Sequence, residues 1–280
     1  MKKSYQNSMG IFALIFLQGC VTHFDPVMLP QGPFPYQVFC SPGNLNSMTE
    51  IGAGEHLLAN SQVYLSAKQE IGAAGWMGGI PAMSPKMDTG SERVKNEVEN
   101  LSMKFDGILK DLVLEFPQPS TFQVVEESKE ADIVLLPSAK LYHIGNGVSQ
   151  FEFNLAARYK DSNGKTFRRY FVWVNEDPMP LTGDESWSAK GGRNLADRVK
   201  AVLPLLLEAF FLDLKFNLGN SVDPLRHQEI WFQRSDMEEP RNGYVLSEFD
   251  EVLLIAPTMN GKPIRSTLFV FPKSLIVSYH

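Results

Sequence analysis

The chain is poor in cysteine, with two in 280 residues, Cys20 and Cys40. A disulfide framework is therefore excluded, and an apolar core must carry the fold. Concentrated positive charge is missing too: 26 Lys and Arg stand against 32 Asp and Glu, the formal charge is −6, and no basic block occurs. Phosphate backbones are bound by dense Lys/Arg surfaces, so no nucleic acid is expected as a partner. No uncharged apolar run approaches the roughly 20 residues that a bilayer-crossing helix needs. Residues 203–212 are nearly all apolar but span only about three turns, which suits a buried helix. Internal repeats and low-complexity tracts are absent, while an apolar content of 44% argues for a folded body.

Signatures of catalysis are equally scarce. The chain has no His-Glu-x-x-His and no Gly-x-Ser-x-Gly. Its histidines, His23, His56, His143, His227 and His280, stand at no helical or strand spacing from one another, so no local metal site is written in the sequence. Asp88-Thr89-Gly90 has the tripeptide of aspartic proteases but occurs once, with no strand leading into it; helix capping explains it better. Ser162 and Lys165 have Ser-x-x-Lys spacing, but they flank Asn163-Gly164, the strongest hairpin signal in the chain. Neither a catalytic residue nor a metal ligand nor a cofactor is expected.

What is present begins at the N-terminus. Lys2 and Lys3 precede an uncharged apolar run over residues 9–17, which ends in Leu17-Gln18-Gly19-Cys20. A basic start and a short apolar run form an export signal that is removed from the mature chain. The last four residues resemble the lipobox of bacterial lipoproteins, a likeness that covers only the first 20 residues. It implies cleavage between Gly19 and Cys20, acylation of Cys20, and a signal peptide over residues 1–19. Each buried methylene contributes about 0.8 kcal/mol, so the three chains of a lipoprotein cysteine would hold essentially for good. Val21 follows where an aspartate is associated with inner-membrane retention. The resemblance thus implies the periplasmic face of the outer membrane. With Cys20 acylated, Cys40 is the one thiol left, either buried and inert or paired with another chain; with an ordinary signal peptide, a Cys20–Cys40 bridge becomes possible.

Residues 20–50 hold Pro26, Pro30, Pro33, Pro35 and Pro42 and read as a tether. A glycine-rich stretch over residues 72–79 lacks the Gly-Lys-Ser/Thr ending of a phosphate loop. It reads as an exposed loop whose tip, Trp76 and Met77, is a contact point for a partner or a membrane surface. Thr89 and Glu92 fit a capping box, and Val94, Val98, Leu101, Phe105, Ile108 and Leu112 follow at helical spacing up to Pro117. Strands are predicted over residues 62–66, 121–126, 131–144 (bent at Pro137), 151–160 and 167–174, the last two as an antiparallel hairpin. A second helix over residues 188–217 has Leu195, Val199, Val202, Leu206, Phe210 and Leu214 on its apolar face, a kink or break at Pro204, and Gly219 to end it. Further strands are predicted over residues 229–233, 251–256, 266–271 and 275–279.

The order of elements predicts an α+β fold: an antiparallel sheet with two long helices packed on one face over residues 51–220, plus a C-terminal β-rich extension over residues 221–280. Together with the lipobox, that order resembles the periplasmic bodies of bacterial assembly and transport-auxiliary lipoproteins, LptE among them. The resemblance implies a structural or assembly role, without enzymatic activity, in a cell-envelope protein complex. Its alternative implication is a lipid- or glycan-binding transport auxiliary.

Overall fold

The computed structural model describes residues 35–43, 55–58, 60–66, 101–116, 122–145, 148–160, 166–174, 178–180, 183–218, 221–223, 226–232 and 241–279. In chain order the strands are β1 (Tyr36–Cys40), β2 (Glu55–Leu57), β3 (Val63–Ser66), β4 (Phe122–Val124), β5 (Ile133–Gly145), β6 (Val148–Lys160), β7 (Thr166–Val174), β8 (Met179–Pro180), β9 (Glu229–Phe232), β10 (Arg241–Phe249), β11 (Val252–Met259), β12 (Lys262–Pro263), β13 (Thr267–Pro272) and β14 (Ile276–Tyr279). Helix α1 (Asp106–Glu115) lies between β3 and β4, and α2 (Ala189–Phe216) between β8 and β9.

These strands build one large sheet in the order β14-β9-β10-β11-β13-β7-β6-β5-β1-β4. It is mixed. β5, β6 and β7 are antiparallel, as the hairpin signal predicts, although the turn itself lies outside the described residues. β1 and β3, however, each run parallel to β5, β4 parallel to β1, and β13 parallel to β7. The expected antiparallel sheet with two long helices on one face and an appended β extension is therefore overturned. Period-2 patterning tells which residues share a face and carries nothing about which strands are neighbours or in which direction. The C-terminal strands continue the same sheet through β13 beside β7.

Of the two helices among the described residues, only one is long. Leu101 and Phe105 are buried ahead of α1, not on it, and α1 has ten residues. The rest of the predicted helix, with its Thr89 cap, lies outside the described residues. α2, by contrast, buries all six residues of its predicted apolar face. It lies across β6, β7 and β13, where Phe151, Phe153, Leu155, Ala157 and Tyr159 of β6 meet it. Each large side chain removed from water there contributes about 1.5–3 kcal/mol. β6 is buried on its other face as well: Glu152, Asn154 and Ala156 are 8%, 6% and 2% exposed. Among the described residues, no helix is long and apolar enough to cross a membrane.

Two prolines sit inside long elements. Pro137 leaves β5 one continuous strand but lacks the N–H a ladder needs. Its neighbours on that edge change there: β1 pairs with β5 up to Leu135, and β3 takes over from Ala139. Pro204 causes no break. The non-helical residues of α2 are Lys190, Gly191 and Gly192, all at positive φ, where two glycines make the left-handed turn accessible. The helix ends at Asn217 in the left-handed conformation, two residues before the predicted Gly219.

At the C-terminal end the sheet curls over itself. Phe232 on β9 sits 5.8 Å and 5.1 Å, centroid to centroid, from Phe269 and Phe271 on β13. Two strands separate β9 from β13, which in a flat sheet would place them about 14 Å apart. Gly243 on β10 permits the curl, because a Cβ there would meet Ile255 Cγ2 at 2.7 Å and Phe232 Cε1 at 3.1 Å.

Candidate functional site: paired donors beneath helix α2

Gly19, Cys20, Trp76 and Met77 lie outside the described residues, as do Asp88, Ser162 and Lys165. Cys40 is a free thiol, 8% exposed, on the face of β1 that points into the core. Burial pushes its pKa up to about 12, with Lys110 acting weakly downward and Asp106 weakly upward. The thiolate is the reactive form, so this cysteine is inert. Among the described residues, no group of three or more His, Cys, Asp or Glu is placed to hold a metal ion.

Two polar arrangements lie under α2, and both come from residues to which the sequence reading assigned no site. The first is a closed ion pair. Arg169 of β7 shares its face with Phe167, Phe171 and Trp173 and reaches Asp213 of α2, with Nη1 2.5 Å from each carboxylate oxygen. The side chains are 6% and 1% exposed. Beside the pair stands Tyr159, whose hydroxyl makes no hydrogen bond and whose pKa is raised, first by burial and then by Asp213. Its ring stacks on Phe210. Charge compensation is complete and the cluster is sealed, which suits a lock between helix and sheet.

The second arrangement is open in its chemistry. Trp173 of β7, 5% exposed, stands opposite Phe153 of β6 and beside Val270 of β13 in register. Arg198 of α2 places its guanidinium carbon 5.9 Å from the centre of the Trp173 ring. That cation–π contact is worth about 0.5–1 kcal/mol. Arg198 Nε and Trp173 Nε1 are both shielded from solvent, and neither donates a hydrogen bond. Indole and guanidinium are donors only, so they cannot satisfy each other. Each buried N–H left without an acceptor costs about 1–3 kcal/mol. Trp187 shows the contrast, since its equally buried Nε1 donates to the Ser149 carbonyl at 2.9 Å. Between sheet and helix, lined by neither Trp173 nor Arg198, lies a cavity of about 10 Å³ whose walls are Phe105, Pro137, Ser138, Phe153, Asn154, Val199, Leu203 and Leu206. That is room for one water molecule and not for a substrate.

A signal for the first arrangement exists in the sequence. Arg169 falls in an apolar row of β7, and Asp213 in the apolar stretch before the end of α2. A charge at a core position calls for a countercharge at another. Trp173 has no comparable signal, because a tryptophan in a core row is ordinary.

No family model, no curated protein and no solved structure matches the chain.

Proposed function

We propose that the chain is an outer-membrane lipoprotein, held at the periplasmic face through acylated Cys20, with a structural or assembly role in a cell-envelope protein complex. One observation carries this reading: the basic start and apolar run that end in Leu17-Gln18-Gly19-Cys20. Charge and composition support it. The acidic balance sets nucleic acid aside, and removal of residues 1–19 takes away two lysines and no acid, making the mature chain more negative still. The body in this reading works by contact, not catalysis. Its long sheet, in which β6 is buried on both faces, and its sealed Arg169–Asp213 pair suit a stiff part in an assembly.

The test is a crosslinking pull-down from intact envelopes, with Cys20→Ser as the unanchored control. Recovery with a stoichiometric set of envelope proteins, reduced for the control, is the expected result. A monomer that carries lipid and no partner would replace the assembly role with a binding role.

A further inference from the structure

The two helices end together, and they end where the chain enters the body. Tyr36 opens β1 and stacks on Phe122 of β4 at 6.2 Å between ring centroids. Phe122 lies 4.5 Å from Phe211 of α2, and Phe211 lies 3.6 Å from Phe116, the residue that caps α1. One row of rings therefore gathers the start of β1 and the last turns of α1 and α2. At these two helix ends large side chains stand in water: Leu114 is 58% exposed and Phe216 53%. Lys215 holds its ammonium 5.0 Å from the centre of the Phe216 ring. We propose that this end of the body docks on the lipid surface that holds Cys20, with Leu114 and Phe216 entering the boundary between head groups and acyl chains. The inference rests on the anchor reading, and it adds the lipid surface as a partner of the body itself.

Chain length and charge choose this occupant. Residues 21–34 separate Cys20 from Pro35, and a segment of that length reaches at most about 50 Å. An anchored Cys20 thus keeps Tyr36, and the helix ends beside it, close to the lipid at all times. Tethering turns the second contact into an intramolecular one, so a patch too weak to bind between separate molecules suffices. Charge sets the kind of lipid. Glu115 is exposed in the last turn of α1 and Asp111 one turn earlier, and both helices direct the negative ends of their dipoles here. Lys215 offsets only part of this. The outermost charge of a zwitterionic head group is its ammonium, which complements such a surface, whereas a strongly anionic membrane fits it poorly. Aromatic rings and lysine stems suit the head-group boundary, the apolar part buried and the ammonium kept in water.

The test uses the full anchored chain in vesicles of phosphatidylethanolamine and phosphatidylcholine whose acyl chains carry bromine, a contact quencher of indole fluorescence. Leu114→Trp and Phe216→Trp put a probe at the proposed contact. Glu185→Trp puts one at an exposed position before the opposite end of α2, a helix about 35 Å long. Emission added by the first two substitutions, relative to the parent, should be lost in brominated vesicles and kept in unbrominated ones. Emission added by Glu185→Trp should be kept in both. Leu114→Asp in the Phe216→Trp chain should restore the lost emission, and thermal unfolding of each variant checks that the fold is kept. Flotation of the same vesicles reports the anchor separately. Should native Cys20 carry no acyl chain, the anchor reading fails; its thiol is then coupled to a maleimide lipid, and docking is read all the same. Docking is overturned if floating chains show no added quenching at Leu114 and Phe216, the result expected if a protein partner covers them instead. It is equally overturned if Glu185→Trp is quenched as strongly, if Leu114→Asp changes nothing, or if quenching requires anionic lipid.

Discussion

Arg169 and Asp213 join β7 to α2 by an ion pair that donates from one nitrogen to both carboxylate oxygens while almost fully out of water. Removing one partner strands a buried charge, which costs about 3–5 kcal/mol; replacing both with apolar residues of similar volume is often neutral or stabilising. Arg169→Met and Asp213→Leu should each lower unfolding free energy in urea by that amount, and the double variant should recover most of it. Additive losses would show that the pair is not coupled.

Gln62 is a second fastening. It donates to the carbonyls of Ser41 and Gly43 at 3.0 Å and 3.3 Å and accepts from the Phe105 N–H at 2.6 Å, tying the exit of β1 to the start of α1. Gln62→Ala leaves that N–H buried without an acceptor and should cost about 1–3 kcal/mol by denaturant unfolding. Gln62→Glu faces two carbonyls with a carboxylate and should cost more at pH 7. Protonation restores a donor, so its stability should recover as pH falls.

Gly243 tests the curl of the C-terminal strands. Gly243→Ala forces a methyl group within 2.7 Å of Ile255 Cγ2 and 2.9 Å of the Ala256 carbonyl oxygen. Overpacking of this kind costs about 1–3 kcal/mol. A lower melting temperature is the expected outcome, and an unchanged one would mean that β10 does not pass this close to β11.

How far the sequence speaks is clear from these same residues. The stripe from Leu195 to Leu214 and the alternation from Phe151 to Tyr159 are legible because burial on one face leaves a period in the chain. Strand neighbours are not legible. Nothing in residues 267–272 says that they lie parallel to β7, since that pairing depends on backbone hydrogen bonds across more than ninety residues. The partner switch at Pro137 and the break at Lys190–Gly192 are further cases: local chemistry marks the irregular residue, while tertiary packing decides what becomes of it. The ion pair was half legible, as two charges in apolar rows. The Trp173–Arg198 contact was not, because orphaned donors exist only once the neighbours are known.

Alkali should weaken the fold. Burial raises the pKa of Cys40 from 9.0 to about 12, and burial likewise raises Tyr159, Tyr36 and Tyr170 above 10.0. For groups raised in the folded state, the stabilising contribution is complete below the unfolded pKa and is lost as pH rises toward the folded one. Unfolding free energy should therefore decline from about pH 9 upward, and less steeply in Cys40→Ala. At pH 8 the native Cys40 should be slow toward a disulfide reagent and fast once urea unfolds the chain.

The central claim is the anchor at Cys20, and intact-mass spectrometry of the mature protein from the membrane fraction tests it most directly. The account predicts a chain that begins at Cys20 and carries three acyl chains, and a Cys20→Ser chain that no longer sediments with the outer membrane. A mature protein whose Cys20 thiol is free or bridged to Cys40, or a Cys20→Ser chain that still sediments with the outer membrane, would contradict it.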